Sequence, residues 1–328
     1  DFESYDHLEE MVREALQVGE VDTGTADVFF NLDEVLDDDF RHPIPIGITG
    51  IDNLLKGGLA KGEIGVILAP TGVGKTTVLS KIANNAFNLG YNVLQIFFED
   101  NPKIIQRKHF TMWTKIAPDN LSLQREEVLE KVRQIKENAS NRLILKKLPS
   151  DTLTMNQIKN QIRKMIAEGT KIDLVVVDYI DCIVPDKNLG DEWKSEGSVM
   201  RGFESMCHEL DIAGWTATQG NRSSISSEVV TTDQMGGSIK KAQVGHVIIS
   251  VAKSLQQKEM NLATIAITKS RIGKDGIVFE NCKFDNEMIE IDTDSSVTFL
   301  GMEEQKEEKN KVRIQELLQK RKQRENKL

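Results

Sequence analysis

The chain has 328 residues, 39% of them hydrophobic, enough for one large α/β domain or two smaller ones. No apolar run approaches the roughly 18 residues of a membrane helix, which excludes a helical span. The net charge of −9 is unevenly placed: residues 1–40 hold 14 acidic residues against Arg13, so of 51 acids and 42 bases, 37 and 41 remain for a mildly basic body that keeps nucleic acid open as a partner.

In chain order, Leu8, Met11, Val12, Ala15 and Leu16 recur at helical spacing on an acidic segment, which predicts a helix with one apolar stripe ending by Gly19. Val21–Arg41 reads as an acidic linker. Either the stripe packs on its own domain, or the linker lets it dock on a neighbouring subunit. From Pro43 the pattern becomes α/β. Strands are predicted at Ile64–Leu68, Val93–Phe98, Leu143–Leu148, Ile172–Asp178, Trp215–Gln219, His246–Val251, Leu262–Thr268 and Ile277–Cys282. Helices are predicted at Thr76–Leu89, Leu123–Asn138, Met155–Glu168 and Val199–Leu210; the third carries a stripe of Met155, Ile158, Ile162, Met165 and Ile166. The first five strands alternate with helices, which predicts a mainly parallel sheet with helices on both faces. The last three lack long helices between them and are predicted as antiparallel hairpins at one edge. The tail from Glu303 is charge-dense, acids first and bases last, an order that suits a solvated helix. The resulting division is 1–42, acidic helix and linker; 43–300, α/β domain; 301–328, charged tail. Cys182, Cys207 and Cys282 are widely spaced and form no C-x-x-C pair, so they read as small buried hydrophobes in a reducing compartment.

The chemistry starts at Ala69-Pro70-Thr71-Gly72-Val73-Gly74-Lys75-Thr76-Thr77, between the first strand and the helix after it. A Gly-rich turn there leaves backbone N–H groups pointing into one concavity, and the helix dipole favours an anion in it. Thr71, Gly72, Val73, Gly74, Lys75, Thr76 and Thr77 are therefore the expected nucleotide-binding residues. Lys75 can reach the outer phosphates of ATP and the Thr76 hydroxyl can ligate Mg²⁺. The bland alternative is an ordinary Gly-rich turn with a solvated lysine.

Four more strand ends carry polar groups. Asp178 closes a buried apolar strand and, beside a phosphate loop, would hold the metal opposite Thr76. Glu99 follows the second strand and is favoured as the base that orients and deprotonates water, with Asp100 the fallback. Gln219 ends the fifth strand, where it can sense the γ-phosphate. Lys269 and Arg271 share one face of an extended segment before Gly273 and Gly276. They are either a basic hairpin tip in solvent or cations supplied to a neighbour's phosphate.

Together these residues resemble the motor domain of the DnaB-type hexameric replicative helicases, within the RecA-like ATPases, over roughly residues 43–295. The markers are the phosphate loop, Glu99, Asp178-Tyr179-Ile180-Asp181, Gln219 with Asn221-Arg222-Ser223, Gly237-Ser238-Ile239, and Lys269-Ser270-Arg271. The divergent surroundings suit a bacteriophage member. The resemblance implies a RecA-like fold and an ATP- and Mg²⁺-dependent DNA helicase acting as a homo-oligomeric, hexameric ring on single-stranded DNA. It implies primase and a helicase loader as partners, no membrane association, and a cytoplasmic setting in a bacterial or phage-infected cell. It assigns Lys269 and Arg271 to ATP in the adjoining subunit and the acidic N-terminal helix to docking on the next protomer. It makes Pro185–Arg201 and Arg222–Lys241 the loops that hold DNA by its backbone, through Lys187, Lys194, Arg222, Gly237, Ser238, Lys240 and Lys241. The sequence departs from the family where Ala69 replaces the usual Gly, where Asp233-Gln234-Met235-Gly236 lacks the common Arg-Glu pair, and in showing no collar or primase domain ahead of the motor. Two other readings remain: a RecA-like DNA-dependent ATPase of recombination, and a nucleotide-gated assembly or loading factor that does not unwind.

Overall fold

The computed structural model describes residues 41–186, 192–221, 224, 227, 229–235, 239–293 and 300–301, together with 28, 29 and 36. The predicted apolar helix at Leu8–Leu16, most of the linker and the charged tail from Glu303 lie outside the described residues. The chain divides into two compact units, residues 1–42 and 43–328, and the fold described here belongs to the second.

That unit is built on a ten-stranded sheet. Its strands are β1 (Ile64–Ala69), β2 (Val93–Phe97), β3 (Leu143–Lys147), β4 (Leu174–Asp178), β5 (Ala213–Gln219), β6 (Val247–Ala252), β7 (Leu262–Ser270), β8 (Ile277–Asp285), β9 (Glu290–Asp292) and β10 (Leu300–Gly301), in the spatial order β10-β8-β7-β6-β1-β5-β4-β2-β3, with β9 beside β8. The strands from β6 to β3 run parallel and those from β7 outward antiparallel. The expected architecture is thus present, with one correction. The sixth strand pairs antiparallel with β7 but parallel with β1, so it closes the parallel block rather than belonging only to the hairpin edge.

The helices are α1 (Thr49–Leu54), α2 (Lys75–Asn88), α3 (Pro102–Thr114), α4 (Arg125–Asn138), α5 (Met155–Ala167), α6 (Glu192–Glu209), α7 (Ile239–Val244) and α8 (Leu255–Glu259). Every residue of β1 is buried because both faces of a central parallel strand are covered. Its side chains alternate between two cores. Ile67 and Ala69 join Val78, Leu79 and Ile82 of α2 on one face; Ile64, Val66 and Leu68 join Ile158 and Ile162 of α5 and Met200 and Phe203 of α6 on the other. Helix α5 begins at a capping box in which the Thr154 hydroxyl accepts from Gln157 N and the Gln157 side chain accepts from Thr154 N. Its buried stripe is shorter than expected: Met155, Ile158 and Ile162 are buried, but Ile166, in the last turn, is 37% exposed. Helix α6 starts at Glu192, so the latter half of the expected Pro185–Arg201 loop is helical.

Helix α3 has no counterpart among the predicted elements. Its start signal is plain enough, since Asn101 accepts from Lys103 N and Pro102 occupies the first turn. Its buried face, however, mixes Ile105 and Met112 with the polar His109, Thr111 and Thr114, which interrupts the apolar stripe that would have announced it. Thr114 Oγ1 donates to Phe110 O at 2.7 Å, the Thr111 hydroxyl has no hydrogen-bond partner among the described residues, and His109 sits in a directional chain. Trp113 Nε1 donates to Asn88 Oδ1 (3.0 Å), Asn88 Nδ2 to Asn84 Oδ1 (3.1 Å) and Asn84 Nδ2 to His109 Nδ1 (3.2 Å); His109 Nε2 donates to Gln95 Oε1 (2.9 Å) and Gln95 Nε2 to Ser80 Oγ (3.2 Å). This chain ties α3, the phosphate-side helix α2 and β2 together, and it works only with a neutral imidazole. Burial pushes the His109 pKa down to about 3.

Two outcomes follow from this packing. Gly65 faces Trp215 across the β1–β5 pair, and a Cβ on it would lie 2.3 Å from the buried indole ring. Gly65→Ala should therefore cost about 1–3 kcal/mol in denaturant unfolding, and an unchanged midpoint would mean that the ring has room to move. The folded chain keeps His109 neutral where the unfolded chain takes a proton. Its contribution is complete above pH 6.5 and is lost as the pH falls towards 3. The stability gap between the parent and His109→Gln should shrink by about 1.4 kcal/mol per pH unit below that point. A gap independent of pH would rule out the neutral ring.

Candidate functional site

Parallel register brings the expected groups to one edge. Ala69 is paired with Gln219, Phe97 with Asp178, and Val177 with Thr216, so the carboxyl ends of β1, β5, β4 and β2 stand side by side. Open parallel sheets bind ligands outside these ends. The β1–α2 turn lies over them. Gly74 (φ +122°) is the N-cap of α2, and a Cβ there would lie 2.4 Å from Asn286 Oδ1 and against the Phe284 ring. A side chain is therefore excluded by space as well as by backbone conformation. Among the described residues the N–H groups of Gly72, Gly74, Lys75 and Thr76 have no partner, while Val73 N donates to Pro70 O at 3.4 Å. The result is a cluster of unpaired amides at the start of a fourteen-residue helix. Ala69 does not disturb it, because it is still strand and fully buried.

The charged groups face this turn. Lys75 is half-buried; its Nζ lies 3.4 Å from Ala69 O and 5.6 Å from the centre of the Tyr179 ring. Burial pushes its pKa down, and Asp178, Asp181 and Glu99 pull it back up. Burial raises the Asp178 pKa to about 6, opposed by a hydrogen bond from the Thr76 hydroxyl and reinforced by Asp100, with Lys108 and Lys75 also lowering it. An anionic Asp178 beside Thr76 is thus short of positive charge, which is the donor set a divalent cation would complete. Tyr179 Oη donates to Glu99 Oε1 at 3.2 Å and so fixes the exposed carboxylate beyond β2. The Gln219 side chain donates to the Thr71 hydroxyl across the mouth of the turn. Thr77 faces inward instead, buried and bonded to Asn286 Oδ1 at 3.0 Å, so it supports the turn from beneath.

Two groups given no role from the sequence belong here. Asp181 is swung round by the short helical turn Ile180–Cys182 to the end of β5, where it accepts from Thr218 Oγ1 and Gln219 N, each at 3.0 Å. Asn286 underlies Gly74 from the β8–β9 turn. Asp181 had a signal, lying three residues beyond Asp178; Asn286 is more than 200 residues from the loop it supports and had none.

The expected basic residues are placed less uniformly. Lys187, Arg222, Gly237 and Ser238 lie outside the described residues, as do the side chains of Lys194 on α6 and Lys240 on α7. Lys241, expected to face DNA, is only 3% exposed and pairs with Asp181 Oδ1 at 2.6 Å, because the turn of α7 carries it under the sheet edge. Lys269 Nζ donates to the carbonyls of Ala242, Gln243 and Gly245 at 2.7–2.8 Å, stapling the C-terminal end of α7. Burial lowers its pKa to about 8, Arg271 adding to the effect. Arg271 is exposed and holds Gln243 O at 2.7 Å through one guanidinium nitrogen. The three cysteines are free and buried, as expected. Among the described residues no helix is long and apolar enough to cross a membrane.

Comparison with known proteins gives the arrangement a family. The family described as the DnaB-like helicase C terminal domain matches residues 43–326. A DnaB-like replicative helicase of Enterobacteria phage T4 is 21% identical over 241 residues, covering 70% of this chain and 50% of its own length; this chain thus spans half of that relative. Among solved structures, a DnaB-like replicative helicase described together with its interactions with primase matches with a TM-score of 0.66 at 17% identity, over 77% of this chain and 62% of its own. An ATPase domain matches with a TM-score of 0.65 at 18% identity, over 88% of this chain and 98% of its own.

Proposed function

The chain belongs to the DnaB-like helicase C-terminal domain family, and from that premise we propose that it is the ATP-hydrolysing motor of a replicative DNA helicase. The observation that carries this reading is the cluster of amides of Gly72, Gly74, Lys75 and Thr76, unpaired among the described residues, together with Lys75, Asp178 and Glu99 at one sheet edge. The amides and Lys75 bind the phosphates. Thr76 and Asp178 would hold Mg²⁺, which when bound supplies charge neutralisation on the phosphate oxygens. Glu99, fixed by Tyr179, orients water and takes its proton; a pinned carboxylate suits a reaction catalysed chiefly by positioning. Gln219, bonded to Thr71, senses the outer phosphate.

By this reading the motor works in a homo-hexameric ring that moves 5′–3′ on single-stranded DNA. The segments 185–201 and 222–241 hold the DNA backbone, residues 1–42 dock on the next subunit, 43–300 form the motor and 301–328 a charged tail. Primase and a loader are its partners, in the cytoplasm of a bacterial or phage-infected cell. Arg271 rather than Lys269 is the better trans-acting cation, since Lys269 is held by three carbonyls and Arg271 by one.

ATP hydrolysis measured with and without single-stranded DNA tests the assignment, and stimulation of at least about tenfold is expected, equivalent to about 1.4 kcal/mol of barrier. A rate indifferent to DNA, with ATP-dependent oligomerisation, would favour the loading factor; strand exchange without unwinding of a fork would favour the recombination ATPase. Arg271→Ala should lower kcat by about 10³-fold and leave affinity for a nonhydrolysable ATP analogue within about threefold. Normal turnover by that variant would remove Arg271 from the neighbour's site.

A further inference from the structure

Asp181 holds both ends of one segment. Its Oδ2 accepts from Gln219 N at 3.0 Å, where β5 stops, and its Oδ1 accepts from Lys241 Nζ at 2.6 Å, where α7 resumes regular structure. Between them lies most of the 222–241 segment, its base closed further by the Gly220–Met235 bridge and by Asn221 N donating to Gln234 O at 2.8 Å. The same Asp181 also accepts from Thr218 Oγ1. On the nucleotide side Gln219 continues to Thr71 of the phosphate turn. On the far side α7 continues to Lys269 and Arg271 through its terminal carbonyls. One carboxylate therefore stands where the phosphate turn, the 220–240 segment and the basic hairpin meet.

The pair is built as a charged joint, not as filler. Lys241 is 3% exposed, and a lysine so placed is held by its counter-ion. Two groups that could have been apolar at this position are charged instead, and charge-assisted bonds are directional where apolar contacts are not. We propose that the Asp181–Lys241 ion pair is a positioning clamp: it fixes both ends of the 220–240 segment to the strand end that reads the nucleotide, so that occupancy of the phosphate turn sets the conformation of that segment. Neither residue touches the reacting atoms. The inference rests on the nucleotide-binding reading above, and it extends that reading to how the site communicates with the segment proposed to hold DNA.

Hydrogen exchange on the full 328-residue chain, with and without Mg²⁺ and a nonhydrolysable ATP analogue, tests it without DNA. In the parent, the analogue should slow exchange by at least about tenfold both at residues 71–77 and across 220–241. Asp181→Asn alone removes the carboxylate charge facing a buried ammonium and is prone to unfold. The double variant Asp181→Asn, Lys241→Gln keeps two hydrogen-bonding groups of similar size without charge. It should retain the protection at 71–77 and lose that at 220–241, with less than about twofold change there. A purely structural pair would lower protection in both regions together, in step with melting temperature. Overturning results are full protection of 220–241 in the folded double variant, or a parent in which the analogue protects 71–77 alone. A parent unprotected at 71–77 would instead sink the nucleotide site itself, and the clamp with it.

Discussion

A lysine ammonium is held partly out of water, facing three carboxylates, at a turn where all the amides from Gly72 to Thr76 except that of Val73 lack a partner among the described residues. Everything else in the site is arranged around that imbalance. Lys75 alone does not neutralise Asp178, whose carboxyl burial keeps near pH 6, and the Thr76 hydroxyl offers only a hydrogen bond. A polyphosphate with a divalent cation would supply both missing charges at once: anion for the amides and lysine, cation for the carboxylate. The arrangement is poised for such a ligand because desolvation strengthens each of these interactions.

The imbalance is maintained by packing that is remote in sequence. The turn keeps its shape because Asn286 and Phe284 fill the space where a side chain at Gly74 would be, and because Thr77 anchors Asn286. Helix α2 keeps its place against β2 through the chain from Trp113 to Ser80, buried from Asn84 inward, in which each member donates to the next. A polar core of this kind is costly if any member is lost and specific if all are present. It supplements the two apolar residues, Ile105 and Met112, that α3 buries. The antiparallel strands take part too, since the residues that pack under Gly74 come from the end of β8 and the turn after it.

Much of this was legible in the sequence, and the reason is local. A central parallel strand reads as a continuous apolar run, and a phosphate turn must lie between such a strand and a helix. Lys75, Thr76, Glu99, Asp178 and Gln219 could therefore be placed by counting to the strand ends. The charges of 241 and 269 were equally visible, but their surroundings were not. Lys241 reads as a basic loop residue until α7 turns it under the sheet, and Lys269 reads as a free cation until three carbonyls close on it. A lysine in sequence is only a charge; whether it meets solvent, a carboxylate or a helix end is decided by elements far away.

Residue order by itself determined which strands are buried, where the chain changes from strand to helix, and which polar groups stand at strand ends, because hydrophobic period and glycine conformation act over a few residues. Tertiary structure decided the rest. Register across β2, β4, β5 and β1 brought distant ends into one edge, a short helical turn carried Asp181 across to β5, and Asn286 came under a glycine more than 200 residues earlier. Those outcomes depend on the closing of contacts between remote segments, whose sequence separation leaves no periodicity to read.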